Sequence, residues 1–426
     1  MRIALLTIAL FQAASAIAQP RVGAEVSSDP LPAGASFGIA APGVAIARDH
    51  AGVAISWVMA DATGARKIYV ARLDATAHFT GSVREIPVYS IAEPGAGVDA
   101  TYPSIAASPD GKGFTLGWLE CPYYSDHPSS IPSVWRAVYS RLDADLNPSR
   151  PALILDSVNS PLIVRSGKET WLTVAGYLWR MGADGSLAVP LFPDLTASDM
   201  AAAADFPQVV ASQKEQQSSF TCTCNGGRLS WFCPESCKAY QYQYLFTVRF
   251  IDVYSVFAAA AFPSVSDHSF VAFDADPAVQ ADDQEVLIAW YQRQQADGGE
   301  VVAARLKPTT STGDASASIA DPLVLGTFGP DSGHVRPDIA TDGQRFVVVW
   351  RSTSASADHD ILGASITPDG IVTPVTIATS PADERDPSVI ALGNGAFLVA
   401  YEKFSGAERR IAGRIVTFDN RVRTVR

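Results

Sequence analysis

The sequence is poor in positive charge and contains no long apolar run. Its 426 residues include 32 Lys and Arg against 44 Asp and Glu, which gives a formal net charge of −12 at pH 7. Such a surface repels phosphate backbones, so no nucleic acid partner is expected. No segment after the N-terminus approaches the roughly 20 apolar residues of a membrane helix. With 47% hydrophobic residues, the chain is too apolar to be disordered, and we expect a large soluble globule that is monomeric.

The first 18 residues follow the pattern of a secretory signal peptide. Arg2 supplies the positive start, residues 3–11 are apolar, and Ala16 and Ala18 form a cleavage signal before Gln19. The apolar run is too short to anchor the chain in a membrane. The first cysteine is Cys121, so no lipid-bearing cysteine follows the cleavage point. The pattern predicts that residues 1–18 are removed and that residues 19–426 are secreted or periplasmic.

Cysteine is scarce and unevenly distributed. Four of the five cysteines crowd into one segment, as Cys222, Cys224, Cys233 and Cys237. In an oxidising compartment this crowding predicts a loop insertion at 221–243 that is held by disulfides, with three possible pairings. Zinc sites favour pairs that are separated by two residues, so a zinc knuckle is disfavoured and no metal is expected. Cys121 is left over, either as a buried thiol or as the partner of another group.

A repeated unit organises most of the remaining chain. It opens at a proline, continues through a short apolar strand and a glycine turn, and ends a second strand at an aromatic residue, most clearly in 337–350 and 387–401. A third strand carries a small-Arg-aliphatic signature and a fourth strand follows in most units. Further copies start near residues 43, 103, 161, 207 and 277, so the period is about 57 residues. The signature arginines are Arg72, Arg141, Arg305 and Arg414, which we interpret as contacts between neighbouring repeats.

These motifs resemble the blades of secreted bacterial β-propellers, which read Pro-x-Val/Ile-Ala, a glycine turn, aromatic-Leu-Val-x-Trp/Tyr and then Gly-x-Arg-aliphatic. The turn from Ser108 to Gly111 is similar to the Ser-Pro-Asp-Gly turn of TolB-type repeats. The resemblance implies an all-β fold, with residues 19–426 forming a single β-propeller of four-stranded antiparallel blades. Counting the copies predicts seven blades, or six if the two weaker copies at 161 and 207 form one unit. The sialidase Asp-box has glycine where this turn has Lys112, so sialidase chemistry is not implied.

The last repeat has three clear strands and needs a fourth to close the ring. Closure of a propeller removes open sheet edges by pairing strands from both ends of the chain. Two segments could supply the missing strand, namely residues 22–26 and residues 421–426.

Candidate binding residues lie in two insertions on one face. In propellers generally, the connections between strands two and three and between blades surround the channel mouth, where ligands bind. Insertion 119–133 carries Tyr123, Tyr124, Asp126 and His127, and insertion 225–243 carries Trp231 and Tyr240. Aromatic rings beside hydrogen-bonding groups are typical of sugar or peptide contacts. The alternative is that these rings cover the small cores of their own loops.

Titratable residues on the same face include His334, Arg336 and Asp386. Paired carboxylates could perform acid-base catalysis. However, aspartates beside proline and glycine are typical of turns. No spacing matches a known hydrolase, metalloprotease or phosphate-loop motif. No catalytic residue and no cofactor is therefore predicted.

These observations favour a non-catalytic secreted binding module that recognises a glycan, peptide or surface protein through the loop face. The alternative is an extracellular glycoside hydrolase or polysaccharide lyase with carboxylates at the channel mouth. Two of these carboxylates within about 5 to 10 Å of each other in a shared pocket would favour the enzyme. A structural envelope protein would show neither a pocket nor an exposed patch. Whether the chain is an enzyme stays open, with the balance against it.

Overall fold

All of the regular structure that could be described is β-strand, which confirms the all-β prediction. The computed structural model describes residues 20–28, 43–60, 65–89, 96–108, 110–124, 135–148, 153–156, 161–166, 169–174, 177–182, 186–187, 197–202, 209–220, 240–251, 256–266, 277–282, 285–294, 298–308, 317–319, 322–328, 335–352, 358–406 and 408–418. Within these ranges there is no helix of the length and hydropathy that crossing a membrane requires.

The strands form antiparallel sheets in which strands that follow each other in the chain are mostly neighbours. Two short strands come first, β1 (Arg21–Val22) and β2 (Val26–Ser27). The next sheets are β3 (Val44–Arg48), β4 (Val53–Ala60), β5 (Arg66–Leu73) and β6 (Phe79–Glu85); then β7 (Ala96–Ala107), β8 (Phe114–Tyr124), β9 (Arg136–Leu142) and β10 (Leu153–Asp156); then β11 (Leu162–Ser166), β12 (Glu169–Val174) and β13 (Tyr177–Met181).

The second half of the chain continues the pattern. Its sheets are β14 (Ala197–Ala202), β15 (Val209–Phe220), β16 (Tyr240–Ile251) and β17 (Val256–Ser266); β18 (Ala278–Ala281), β19 (Val286–Gln294), β20 (Gly298–Pro308), β21 (Ala317–Ile319) and β22 (Leu323–Phe328); β23 (Asp338–Thr341), β24 (Phe346–Arg351), β25 (Ile361–Ile366) and β26 (Val372–Ala378); and β27 (Asp383–Gly393), β28 (Ala396–Ser405) and β29 (Glu408–Thr417). Four-stranded antiparallel sheets are therefore the common unit, as predicted.

The middle strands are buried on both faces because a sheet packs against each side of them. In β24, Val348 and Trp350 join a core with the sheet of β18 to β22. The alternate residues Val347 and Val349 join a second core with the sheet of β27 to β29. This double coverage explains why the second strand of a repeat is a continuous apolar run. It also explains its final aromatic residue, since burial of one such side chain contributes roughly 1.5–3 kcal/mol.

The first strand of each sheet contacts the first strand of the next sheet, and these contacts close on themselves. In ring order the contacting strands are β3, β7, β11, β14, β18, β23 and β27, and β27 contacts β3 again. Sheets that radiate from a closed ring of first strands have the arrangement of a β-propeller. The space inside the ring is the central channel.

The N-terminal segment supplies the closing strand. Arg21 of β1 pairs with Thr417 of β29, and Val26 of β2 pairs with Gly413 of the same strand. The first of the two closure predictions, through residues 22–26, is thereby confirmed. The rival segment 421–426 lies outside the described residues.

Two of the four signature arginines, Arg305 and Arg72, link neighbouring sheets as predicted, whereas Arg141 pairs with Asp110 and Arg414 with Glu25, both within their own sheets. Arg305 in β20 donates hydrogen bonds of 2.6 Å to the backbone carbonyls of Thr367 and Pro368, in the turn after β25. Arg72 in β5 donates one to the carbonyl of Ala144, in the turn after β9. Both arginines therefore reach from the third strand of one sheet to the equivalent turn of the next.

The predicted starts of three first strands are wrong. β7 begins at Ala96 and β27 at Asp383, so Pro103 and Pro387 lie inside these strands, at a bulge. The copy near residue 207 was expected to open with its first strand at Pro207, but the first strand of that sheet is β14, and Pro207 precedes the second strand, β15. No proline opens β14, so the repeat signal is missing there. The weak copy near residue 161 does form a sheet, with Trp171 in its second strand.

Candidate functional site

The channel holds a cavity of about 700 Å³ that is lined by the first strands of all the sheets in the ring. This volume is in the range of small-molecule sites. Small side chains such as Ala45, Ala106 and Ala278 line much of its wall. Charged residues lie towards its two ends, which makes the ends the chemically distinctive parts.

The first strands run in one direction, so the channel has a defined entrance. A backbone N–H of one first strand donates to a side chain on the preceding first strand at equivalent positions. The three contacts, written donor to acceptor, are Ile163 to Ser104, Val279 to Asp199 and Val389 to Asp338, at 3.0, 2.8 and 2.8 Å. The strand beginnings therefore gather at one end of the channel, which we call the mouth.

The rim of the mouth carries Tyr102, Arg336 and Asp386, each of which immediately precedes the proline of a first strand and lines the cavity. Tyr102 has φ of 56° and Asp386 has φ of 47°, which is the left-handed region. Side chains other than glycine rarely adopt it, and a following proline favours extended backbone instead. Strain of this kind costs of order 1 kcal/mol or more at each residue and is concentrated at ligand sites.

Two aspartates near the mouth serve as links between sheets. Besides its bond from Val279, Asp199 accepts one from the N–H of Met200. Asp338 accepts bonds from Val389, from the Ser388 hydroxyl and from the N–H of Ile339. Burial, reinforced by the nearby Asp338, raises the pKa of Asp199 to about 7. Both carboxyl oxygens of each aspartate are used within the protein, so these groups hold the ring together.

A second carboxylate pair converges on Gly43, at the start of the sheet that contains β3. A Cβ atom at Gly43 would lie 2.4 Å from Oε1 of Glu402 and 3.2 Å from Oδ2 of Asp386. A larger residue at position 43 would therefore displace the Glu402 carboxylate, and glycine leaves the space that the two carboxylates share. Arg409 binds Glu402 and also donates to the carbonyl of Val58 at 2.7 Å. Burial, with a contribution from Asp386, raises the pKa of Glu402 to about 7.

Guanidinium groups surround Asp386. Burial raises the pKa of this carboxyl, and Arg351, Arg336, Arg385 and Arg409 all oppose the rise. Arg385 pairs with Asp383, and both Arg385 and Arg409 lie over the ring of Phe404, at 5.3 and 5.5 Å. Arg336 differs, because within the described part of the chain it has no hydrogen bond or ion pair.

The predicted site residues are only partly brought together. Arg336 and Asp386 meet at the mouth. Tyr123 and Tyr124 were expected in a loop, but they belong to β8, which extends by pairing with Ala96 and Gly97 of β7. Tyr240 likewise starts β16 by pairing with Phe220. The remaining predicted residues lie outside the described ranges, namely Asp126, His127, Trp231, His334, Cys222, Cys224, Cys233 and Cys237.

Sequence reasoning missed Tyr102, Gly43, Glu402, Arg351 and Arg409. The usable signal for Tyr102 was its position before a proline, which it shares with Arg336 and Asp386. The other four come together only through contacts between sheets.

Cys121 is a buried thiol in β8. Burial, helped by Asp99, raises its pKa to about 11, so it is not a reactive nucleophile at neutral pH. Of the two predictions for this cysteine, the buried thiol is confirmed.

Comparison with known proteins finds similarity in structure alone. No family model matches the sequence, and neither does any curated protein. A protein of unknown function from Dyadobacter fermentans is 12% identical, with a TM-score of 0.47, over 94% of this chain and 100% of that one. Trypanosoma rangeli sialidase is 10% identical, with a TM-score of 0.44, over 89% and 54% of the two chains. The hemagglutinin-neuraminidase of parainfluenza virus 5 is 10% identical, with a TM-score of 0.42, over 78% and 92%. Likenesses this distant support no conclusion about what this chain binds or does.

Proposed function

We propose that this chain is a secreted, monomeric binding module that holds a saccharide in the mouth of its channel. The observation that carries the proposal is the rim, where Tyr102, Arg336 and Asp386 line one cavity and two of the three have strained backbones. Backbone strain is typical of residues that are positioned for a ligand. A phenol ring, a guanidinium and a carboxylate together offer a stacking face, donors and an acceptor, which is the set that a sugar with several hydroxyls requires.

We propose seven blades for the propeller. The support is the ring of first strands, in which β11 and β14 belong to separate sheets and contact each other. The six-bladed alternative would need the two weaker repeats to share one sheet.

A peptide or a surface protein is the alternative ligand for a binding module, and it would use the loop face more broadly. Supporting this possibility, the start of β7 pairs with the end of β8, and the end of β15 pairs with the start of β16, in long extensions on the side of the mouth. The residues proposed to extend the contact are Tyr123, Tyr124, Asp126, His127, Trp231, Tyr240 and His334.

Secretion and the disulfides are part of the same proposal. Removal of residues 1–18 would deliver the chain to an oxidising compartment, where Cys222, Cys224, Cys233 and Cys237 would pair. Mass spectrometry of the exported protein, before and after reduction, checks both points. We expect an N-terminus at Gln19 and a mass gain of about 4 Da on reduction, since each disulfide takes up two hydrogens.

One observation favours the enzyme alternative, a glycoside hydrolase or polysaccharide lyase. Oxygens of Asp386 and Glu402 both lie within 3.2 Å of the position that a Cβ atom would take at Gly43, so the two carboxylates are as near to each other as a catalytic pair, whose members are about 5 to 10 Å apart. However, Glu402 is only 4% exposed, is bound by Arg409 and is not among the residues that line the cavity. A catalytic pair must touch the substrate with both groups, so the geometry supports binding better than hydrolysis.

Binding to a glycan array tests the proposal. We expect the mature protein to bind a defined subset of saccharides, and Asp386→Asn to weaken that binding by about tenfold, because an amide NH2 group replaces one of the two oxygens that can accept hydrogen bonds from the ligand. Glu169→Gln is the matched control, since Glu169 pairs with Arg180 at an exposed position on β12, away from the channel. An array without hits, or equal binding by the Asp386 variant, would contradict the proposal. Reducing-end release from the bound saccharides would support the enzyme instead.

A further inference from the structure

Arg336 stands out among the charged groups of the mouth. It lines the cavity, and within the described residues it makes no hydrogen bond or ion pair. A guanidinium carries five N–H donors in a rigid planar fork. By contrast, Arg409 is bound to Glu402, and Arg385 is bound to Asp383. Of these three arginines, Arg336 is therefore the one whose donors have no acceptor among the described residues.

The acidic groups nearest to Arg336 are already engaged. Asp199 and Asp338 accept hydrogen bonds from backbone N–H groups on both oxygens. They contribute charge to the mouth, and within the described residues Arg336 forms no hydrogen bond with either of them.

Asp386 meets Glu402 at the same buried spot beside Gly43. Two carboxylates in such a position hold one proton between them more readily than two negative charges. The pair then carries one negative charge among the guanidinium groups that surround Asp386, which are those of Arg351, Arg336, Arg385 and Arg409.

The geometry points to a carboxylate on the ligand, and we propose that Arg336 binds an acidic saccharide through two parallel N–H···O bonds to that group. The inference rests on the proposed saccharide site and names its ligand class. A guanidinium fork matches a carboxylate in shape as well as in charge. Tyr102, on a different first strand of the same rim, would lie against the sugar ring. Gly43 precedes β3, which lies between β27 and β7 in the ring. Because glycine has no side chain, this part of the rim leaves space for the sugar.

Matched pairs of saccharides that differ only in charge test the inference. Calorimetric titration of the mature protein would compare tetragalacturonate with its methyl ester, and a hyaluronan hexasaccharide with its carboxyl-reduced form. We expect at least one acidic member to bind at least about tenfold more tightly than its neutral partner, as charged hydrogen bonds allow. Arg336→Gln should abolish that preference. Arg336→Lys should restore only part of it, because an ammonium cannot form the bidentate pair.

The control is Arg180→Gln, which removes a cation that is paired at an exposed position outside the channel, and it should bind like the wild type. Equal binding of acidic and neutral members, or an Arg336→Gln variant that keeps the preference, would overturn the inference while the saccharide site stands. If no probe binds and the glycan array is also empty, the proposed function fails and the inference fails with it. A melting temperature for Arg336→Gln near that of the wild type shows that the variant is folded.

Discussion

Deletion of residues 19–30 from the mature chain is expected to lower the melting temperature sharply, because this segment closes the ring. β1 and β2 cover the outer edge of β29, with backbone bonds of 2.8 Å from Gly23 to Ile415 and from Ser28 to Ile411. Between the two strands, Glu25 accepts hydrogen bonds from Tyr401 at 2.8 Å and Lys403 at 2.7 Å. At about 1 kcal/mol for each of these four hydrogen bonds, the loss is roughly 4 kcal/mol, a large part of a typical folding free energy.

Thermal unfolding followed by circular dichroism measures the effect. Deletion of residues 421–426, the rival segment, is the matched control and should leave the melting temperature nearly unchanged. Glu25→Ala keeps the strand pairing and removes only the side-chain contacts, so its melting temperature should fall between those of the deletion and the wild type. A deletion variant that melts with the wild type would show that the N-terminal segment does not close the ring. If the deletion variant cannot be isolated, Glu25→Ala tests the same point. A melting temperature below that of the wild type would support closure by the N-terminal segment, and an unchanged one would contradict it.

The sequence allowed the repeated strands to be predicted because their signals are local. A proline in or just before the first strand, a glycine turn and a buried aromatic residue mark β23 and β24, and again β27 and β28. Each signal reflects a constraint within one sheet, namely a strand start, a turn or coverage on both faces. Where the proline is missing, as at β14, the first strand was predicted near residue 207, whereas it begins at Ala197.

The candidate site was harder to predict because it is made by contacts between sheets. Asp386 could be named from its position near a turn, but its partner Glu402 lies on another strand and is nearly fully buried. Nothing local indicates that Gly43, in the first sheet of the ring, leaves space for both carboxylates. Positive φ at Tyr102 and Asp386 depends on bulges in β7 and β27, which tertiary pairing imposes. Local patterns therefore predict blades well and the mouth of the channel poorly.

The arginine links between sheets lead to the second large expected effect, in Arg305→Ala. The Arg305 side chain is 10% exposed and pairs at 2.8 Å with Glu285, which is 7% exposed. The substitution removes this counter-ion from a buried carboxylate and takes both donors from the turn at Thr367 and Pro368. Breaking a buried pair in this way costs about 3 kcal/mol or more, and here the loss falls on the contact between two blades.

Arg180→Ala is the control for charge alone, because Arg180 and Glu169 form an ion pair at 3.1 Å with side chains that are 43% and 40% exposed. An exposed pair contributes at most about 1 kcal/mol. Urea unfolding of both variants should show a clearly lower midpoint for Arg305→Ala and little change for Arg180→Ala. Arg72→Ala, which removes the same kind of link elsewhere in the ring, should resemble Arg305→Ala. Equal losses for Arg305→Ala and Arg180→Ala would mean that Arg305 acts through general charge balance, whereas the expected difference makes Arg305 a specific link between two neighbouring sheets.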